Sequence, residues 1–395
     1  MIFRTLSPFL KETSKKYPVL TITGPRQSGK TTLCRTIFKK LPYVSMEDPD
    51  TRLQAQSDPR GFLSHFSQGA VLDEIQRVPE IVSYLQSIVD EPKNKKKFVL
   101  SGSQNLILSQ TISQSLAGRT AIFQLLPFSM QELHSQIKTF STDRLLLTGF
   151  YPRIYDKKLN PTQALASYFE TYVERDLRGL SNIHNLSLFQ KFMKLCAGRV
   201  GQILNLSALG NEVGVSAETA RQWMSLLQAT YIVYLLPPYY RNFNKRIVKS
   251  PKLYFYDVGL AAYLLGIIST SQMSRDPLRG ALFENLVVLD ILKTQIHQNR
   301  STPLYYFRDN NGNEVDLLFD REGTLYSVEI KASQTVHSDF FRGLHTMQKI
   351  TAPNRCQSQL IYGGRESRIW SGIHVRSYRH YYKTLFEFDA VAKER

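Results

Sequence analysis

The stretch Gly24-Pro25-Arg26-Gln27-Ser28-Gly29-Lys30-Thr31-Thr32 follows an apolar β-type run at 19–23 and precedes a helix-like segment at 33–39. Its pattern, G-x-x-x-x-G-K-[ST], predicts a phosphate-binding loop in that context, because the glycines let successive N–H groups curl toward a phosphate. Lys30 is expected to reach the β- and γ-phosphate oxygens, and Thr31 to offer its hydroxyl to Mg²⁺. We therefore predict that these nine residues bind ATP, in preference to forming a bare surface turn.

Two carboxylates end the next buried-strand pattern, which covers residues 70–72. Asp73 is predicted to hold Mg²⁺ through water, and Glu74 to polarise the attacking water. Without the phosphate loop, a solvated strand end would be the better interpretation of this pair. A third strand pattern at 98–101 leads to Ser103 and Gln104, at the edge where open α/β sheets bind ligands. Either side chain is expected to sense the γ-phosphate or to orient the water.

These spacings resemble the AAA+ ATPases, with Ser103 and Gln104 at the polar sensor position and Arg119 just after the next helix. In that superfamily, an arginine at this place reaches into the ATP site of the neighbouring subunit and stabilises transition-state charge. The resemblance implies that hydrolysis requires a ring, such as a hexamer, or at least a dimer. An ordinary solvated arginine is the alternative for Arg119.

The length, composition and charge of the chain argue against several classes of protein and favour others. The 395 residues leave room for two or three domains. Because no apolar stretch approaches the ~20 residues of a membrane span and no signal peptide begins the chain, we predict a cytoplasmic protein without membrane contact. Its three cysteines form no C-x-x-C pair, which argues against a disulfide scaffold or a zinc cluster. The net charge of +17 favours a polyanionic partner such as DNA.

Changes of pattern divide the chain into four parts. Residues 1–140 alternate strands and helices and predict an α/β fold with a doubly wound sheet, the P-loop AAA+ core. Residues 141–185 predict a helical lid or connector, from which Arg153 and Arg175 would close over the nucleotide. Since basic residues are common in such helices, an ordinary surface role is the alternative. Residues 186–252 and 253–395 predict a winged helix-turn-helix and a second α/β domain.

The helix-turn-helix prediction rests on residues 206–229. A short helix at 206–212, a tight turn at 213–215 and a helix capped by Ser216 are followed by β-type residues at 231–236 that begin a wing. The second helix has one apolar face and an opposite face with Arg221 and Gln222. The wing region adds Arg241, Lys245, Arg246 and Lys249 among aromatic residues, a composition suited to phosphates and exposed bases. Contact with DNA and a packing-only role both remain open.

The C-terminal part contains a possible second active site. Residues 314–319 and 326–331 predict two strands joined by a turn, so that Glu329 and Lys331 share a face and Asp316 lies beside them. Glu284 begins a helix upstream and can complete the cluster. This set resembles the PD-(D/E)xK restriction-endonuclease-like fold, which implies a divalent ion that activates water to hydrolyse a phosphodiester. A solvated hairpin edge is the alternative.

The whole chain resembles a widespread bacterial and archaeal family of predicted AAA-type ATPases with a C-terminal endonuclease-like domain. The resemblance rests on segments 24–33, 72–76, 100–103, 116–119, 127–129, 252–260, 314–316 and 329–331. It implies ATP hydrolysis and DNA handling. Our leading hypothesis is an ATP-driven oligomer that remodels branched or duplex DNA. An ATP-licensed metal-dependent nuclease, and a nucleotide switch that binds a protein partner, are the alternatives.

Overall fold

The N-terminal part is built on a parallel five-stranded sheet. The structure is a computed structural model that describes residues 2–91, 95–103, 115–135, 137, 141–172, 183, 185–239, 249–300, 302–351 and 356–385. The strands are β1 Val19–Thr23, β2 Tyr43–Ser45, β3 Gly69–Asp73, β4 Lys97–Gly102 and β5 Thr120–Gln124, in the order β2-β3-β4-β1-β5. The helices are α1 Ser7–Thr13, α2 Lys30–Ile37, α3 Pro49–Ser57, α4 Pro59–Ser64 and α5 Ile81–Val89. All neighbouring strands are parallel, so their carboxyl ends share one edge.

The order of the strands locates the crevice of this sheet. From β1 the chain passes to the outer strand β2, whereas from β4 it crosses β1 to reach β5 on the other side. Ligands of open α/β sheets bind at such a reversal, beyond the carboxyl ends of the strands. Every residue of β1 and β3 is buried, as expected for parallel strands that are covered on both faces. The α/β prediction for this part is confirmed.

Helices dominate the middle of the chain. They are α6 Met130–His134, α7 Thr142–Thr148, α8 Pro152–Asp156, α9 Pro161–Tyr172, α10 Leu186–Ala197, α11 Leu206–Val213 and α12 Ala217–Ala229. Strands β6 Val233–Leu236 and β7 Lys252–Phe255 then form an antiparallel pair, followed by helices α13 Val258–Leu264 and α14 Thr270–Arg275. Strand β7 crosses the predicted boundary at 252/253, because its register with β6 continues to Phe255.

Helices α11 and α12 occur where the sequence predicts them. The turn between them contains Gly214 in the left-handed region, at φ +92°, and the Ser216 hydroxyl accepts from the Thr219 N–H at 3.0 Å. Trp223 of α12 packs edge-on against Phe189 and Phe192 of α10. The exposed face of α12 is consequently the one that contains Arg221.

The C-terminal part has a long helix and a mixed sheet. Helix α15 Arg279–His297 precedes strands β8 Tyr305–Arg308, β9 Glu314–Arg321, β10 Thr324–Lys331, β11 Cys356–Tyr362, β12 Arg368–Trp370 and β13 Ile373–Ser377. Helix α16 Arg342–Ile350 connects β10 to β11, and α17 Tyr382–Leu385 ends the described chain. The strand order is β12-β13-β11-β10-β9-β8, with the predicted hairpin at β9 and β10.

One hydrophobic core unites the middle and C-terminal parts. It runs from Phe128 to Tyr381 and contains side chains of α9, α10, α12, α13 and α15, together with residues of β9 and β10. Helix α15 unites the two parts, because its buried side chains cover most of its circumference and must be enclosed from several sides. The C-terminal sheet also has a separate core, which includes Val315, Leu318, Leu344 and Leu360.

Within the described ranges, no helix is both long enough and apolar enough to cross a bilayer.

Candidate nucleotide-binding site

The phosphate loop leaves β1 through a glycine that no other residue can replace without movement. Gly24 has φ +146°, and a Cβ atom there would lie 2.1 Å from the Leu125 carbonyl oxygen. Gly29, at φ +93°, precedes the first turn of α2 and directs the N-terminus of that helix into the loop. The loop thus has the curled backbone that the sequence predicts.

Lys30 is held across this loop. Its side chain is buried, and its Nζ donates to the carbonyl oxygens of Gly24 at 2.9 Å and of Pro25 at 2.8 Å. Burial lowers the pKa of Lys30, while the nearby Glu74 and Asp73 act in the opposite direction. The ammonium therefore sits next to two carboxylates, at the mouth of the loop where phosphate oxygens fit.

Asp73 is oriented by hydrogen bonds from several directions. Its Oδ2 accepts from the Thr31 hydroxyl at 2.7 Å and from the Tyr43 hydroxyl at 2.5 Å. Its Oδ1 accepts from the Ser101 hydroxyl and from the Glu74 N–H, the latter at 3.1 Å. Thr31 and Asp73 are oxygen donors of the kind that Mg²⁺ prefers, and they lie in contact, so this pair fits that ion.

The sequence reasoning missed Tyr43 and Ser101. Ser101 is the register partner of Asp73 across β3 and β4, and Tyr43 belongs to the strand on the other side of β3. Neither could be found without the strand order, because each is a common residue in a short strand pattern.

Glu74 belongs to a second polar group. Its backbone is in the left-handed region, at φ +55°, and its Oε2 accepts from the Gln76 amide. The same amide donates to the Ser103 hydroxyl at 3.2 Å, and this hydroxyl lies 3.5 Å from Glu74 Oε2. Ser103 therefore lies beside Glu74. Gln104 lies outside the described residues, and Gln76 is a further member that we had not predicted.

A cavity of about 900 Å³ opens beside the loop, within the usual size range of ligand pockets. Of the predicted ATP-binding residues, Arg26, Gln27, Gly29, Lys30, Thr31 and Thr32 line it. The other three, Gly24, Pro25 and Ser28, are buried behind them.

The opposite wall of the cavity comes from the middle of the chain and includes Arg153, Tyr155, Lys157, Tyr168 and Tyr172. Aromatic and basic groups thus face the phosphate loop. Arg175 lies outside the described residues.

Residues 16–134 match the family described as AAA domain. A protein of Mycobacterium tuberculosis, Uncharacterized protein Rv2008c, is 33% identical over 332 residues, which cover 82% of this chain and 73% of that protein.

The chain belongs to this family of AAA-type ATPases.

Two further matches cover other parts of this ATPase. Residues 139–271 and 279–381 match two families described as domains of unknown function, DUF8612 and DUF4143. Uncharacterized protein MJ1544 of Methanocaldococcus jannaschii is 22% identical over 348 residues, 80% of this chain and 75% of its own. Among solved structures, the Walker-type ATPase PABY2304 of Pyrococcus abyssi has a TM-score of 0.45 at 14% identity, covering 66% of this chain and 94% of that one.

Arg119 of the ATPase lies far from the phosphate loop of its own chain. It precedes β5, whose first residue pairs with Val19 at the amino end of β1, so it is at the opposite edge of the sheet. Its guanidinium makes a two-pronged ion pair with Asp90, at 2.6 and 2.7 Å. Arg119 therefore cannot act on its own nucleotide, and a role in catalysis requires a second subunit.

The C-terminal charged residues of the ATPase converge, with an unpredicted lysine among them. Lys252 of β7 is buried, and its Nζ lies 3.0 Å from Glu284, 2.5 Å from Glu314 and 3.7 Å from Asp316. Burial would lower the pKa of Lys252, but Glu284 and its other partners raise it well above the ordinary value. A cation thus already stands between the carboxylates.

The other half of this cluster is Glu329 and Lys331. Lys331 Nζ lies 2.6 Å from Glu329 Oε1 and 3.8 Å from Asp316 Oδ2. Burial and the neighbouring Asp316 raise the pKa of Glu329 well above its ordinary value, and its Oε2 has no hydrogen-bond partner within the described part of the chain. In that same part, no three histidine, cysteine, aspartate or glutamate side chains are arranged to hold a metal ion together.

Three of the residues predicted to contact nucleic acid are described. Arg221 and Gln222 are exposed on α12, where Arg221 pairs with Glu218, and Lys249 is exposed before β7. Arg241, Lys245 and Arg246 lie outside the described residues.

Proposed function

We propose that this AAA-type ATPase couples Mg²⁺-dependent ATP hydrolysis to the binding and remodelling of branched or duplex DNA, as an oligomer. One contact supports the coupling: Tyr172 of α9 lines the nucleotide cavity, and its hydroxyl is hydrogen-bonded to Thr230, the C-cap residue of α12. In our proposal, this contact passes a change in the wall of the cavity to the second helix of the helix-turn-helix. The net charge of the whole chain, +17, favours a polyanionic partner.

In the proposed reaction, water attacks the γ-phosphorus of ATP and the bond from this phosphorus to the β,γ-bridging oxygen breaks, giving ADP and phosphate. Glu74 polarises the water, while Gln76 and Ser103 hold the Glu74 carboxylate. Lys30 exchanges its carbonyl partners for phosphate oxygens. Mg²⁺, held next to Thr31 and Asp73, would neutralise charge on the β- and γ-phosphates.

The aromatic wall of the cavity is the proposed place for the adenine base. Tyr155 and Phe128 meet edge to face, with ring centroids 6.2 Å apart, and the Tyr155 hydroxyl donates to the Gly149 carbonyl at 2.5 Å. Arg153 and Lys157 on the same wall are exposed cations that can contact the phosphates as a lid.

Steady-state ATP hydrolysis should be measured alone and with single-stranded, duplex and four-way-junction DNA. We expect one form of DNA to stimulate turnover, and Lys30→Ala and Glu74→Gln to abolish it. Thr230→Val, which removes the hydroxyl from the Tyr172 contact, should leave turnover without DNA within about twofold but reduce its stimulation. Slow turnover that is indifferent to every DNA would contradict the proposal and favour a nucleotide switch with a protein partner.

DNA contact itself is tested by the dependence of affinity on salt. Arg221→Ala should weaken binding and reduce the slope of log K against log salt by about one, if Arg221 neutralises one phosphate. Lys11→Ala, a change in an exposed cation of α1, is the matched control and should change neither quantity. Equal affinities for the two variants would remove α12 from the DNA interface.

A metal-dependent nuclease is the second candidate, favoured by the convergence of Glu284, Asp316, Glu329 and Lys331. Lys252 would have to leave the cluster before a divalent ion could enter, because its ammonium contacts the same carboxylates. Incubation of supercoiled plasmid with Mg²⁺ or Mn²⁺ decides this. Cleavage that survives Asp316→Ala, or no cleavage under any nucleotide condition, would rule the candidate out.

A further inference from the structure

Arg4, which precedes α1, is buried against the phosphate loop. Its NH1 donates to the Ser28 carbonyl oxygen at 2.7 Å, and its NH2 donates to the Leu126 carbonyl oxygen at 2.6 Å. Its Nε donates to Glu132 Oε1 at 3.1 Å. The guanidinium therefore fixes the backbone of the loop with respect to the segment that follows β5. The same segment supplies the Leu125 carbonyl oxygen against which Gly24 packs.

The last residue of α15 joins this network. His297 Nε2 accepts from the Leu126 N–H at 3.2 Å and lies 3.5 Å from Arg4 NH2, while its Nδ1 is 3.4 Å from Glu132 Oε2. Both His297 and Glu132 are almost wholly inaccessible. Burial acts to raise the pKa of Glu132, but Arg4 and His297 lower it below the ordinary value, so this carboxylate stays ionised. A charged network thus connects the loop to the C-terminal helix.

The same helix reaches the C-terminal charged cluster. Glu284, near its beginning, contacts Lys252 and accepts from the Tyr254 hydroxyl at 2.6 Å. His297 lies thirteen positions after Glu284 on the helix, a distance of roughly 20 Å at the usual rise per residue. Between them, Asp290 Oδ1 accepts from the Met130 N–H at 2.6 Å and gives α15 a second hold on the ATPase part. The helix is therefore anchored along its length.

We propose that Arg4 is a positioning residue of the ATP site, and that through His297 it makes the shape of the phosphate loop depend on α15. A lysine at position 4 could not keep all three of these backbone and carboxylate contacts, because an ammonium cannot reproduce the fork of a guanidinium. The proposal does not depend on DNA. It assigns a regulatory role to the end of α15, the first helix of the region that matches a domain of unknown function.

The test compares ATP hydrolysis without DNA in wild type, Arg4→Lys, His297→Leu and the double variant, well below their melting temperatures. Arg4→Lys is expected to raise KM for ATP about tenfold and to change kcat less, since a loop of altered shape binds phosphates less well. His297→Leu leaves the Leu126 N–H unpaired and should raise KM in the same sense. His297→Gln keeps an acceptor for the Leu126 N–H, so its KM should lie close to that of wild type.

The KM of the double variant tests whether Arg4 and His297 act through one network. Because both variants disturb one network, the double variant should have nearly the KM of Arg4→Lys alone. Lys11→Met, an exposed change near Arg4 in the chain, is the control and should leave KM unchanged. A folded Arg4→Lys with wild-type KM would overturn the positioning role, and additive effects would overturn the link through His297. If Arg4→Lys does not fold, an unchanged KM in His297→Leu overturns the proposal by itself.

Discussion

The role of Tyr43 in the ATP site depends on the order of the strands, which places it beside Asp73. Its hydroxyl donates to Asp73 Oδ2, the oxygen that also accepts from Thr31. Burial, together with the hydrogen bond to Asp73, raises the pKa of Tyr43, so the phenol remains a donor throughout the neutral range. Its hydroxyl is therefore a permanent restraint on the carboxylate that is proposed to stand next to Mg²⁺.

Tyr43→Phe removes this restraint and should raise the Mg²⁺ concentration at half-maximal ATPase activity about threefold to tenfold, because one hydrogen bond to a charged group is lost. Titration of turnover against Mg²⁺ at saturating ATP measures the shift. Tyr17→Phe is the control, since Tyr17 lies partly exposed between α1 and β1. Identical Mg²⁺ dependence in wild type and Tyr43→Phe would contradict the assignment.

Asp290 gives a prediction about pH. Burial raises its pKa from 3.8 to about 6, against the hydrogen bonds that it accepts from Tyr381 and Met130. The folded state therefore holds this proton more tightly than the unfolded state. The stability that Asp290 contributes is complete below the unfolded pKa and is lost as pH rises through about 6.

Asp290→Asn, which stays neutral, should consequently gain roughly 2 kcal/mol in free energy of unfolding, relative to wild type, between pH 4 and pH 7. Urea denaturation of both proteins at several pH values measures this difference. The prediction fails if the two stability profiles are parallel over that interval.

At the scale of elements, α12 has two faces with opposite roles. Trp223 lies with its ring centroid 5.2 Å from that of Phe189 and 5.5 Å from that of Phe192, so it fastens α12 to α10. Arg221 on the other face is exposed. Trp223→Ala should lower the free energy of unfolding by about 3 kcal/mol or more, because it leaves a cavity between aromatic rings.

Arg221→Ala, two residues away on the same helix, is the matched control and should change stability by less than about 0.5 kcal/mol, since it removes an exposed ion pair. Chemical denaturation distinguishes the two variants. Similar losses for both would mean that the apolar face of α12 does not anchor it.

Elements of this chain could be predicted where local pattern and packing agree. Strand β1 occupies the predicted residues, and α12 follows the predicted Ser216 cap, because spacing of apolar residues and a capping side chain act locally. Lys252 in the carboxylate cluster could not be predicted. Position 252 ends the predicted winged helix-turn-helix, and the burial of Lys252 depends on the pairing of β7 with β6 and on the approach of β9.

In the whole molecule, the phosphate loop and Arg119 lie at opposite edges of the N-terminal sheet. If Arg119 completes the site of a neighbouring subunit, a mixture of Lys30→Ala and Arg119→Ala chains should regain activity that neither variant has alone. Loss of the arginine should reduce turnover on the order of 10³-fold without weakening ATP binding. Turnover per chain should also rise with protein concentration. Activity independent of concentration, with no recovery on mixing, would assign Arg119 to its pair with Asp90 alone.

The continuous core between Phe128 and Tyr381 has a consequence for how this protein can be divided. A fragment that ends before α15 would leave the Leu126 and Met130 N–H groups without acceptors and would uncover the apolar side chains that α15 shields. The nucleotide-binding half is therefore a poor candidate for isolation or for transplantation into another chain. A truncation of this chain should therefore keep α15 together with the nucleotide-binding part.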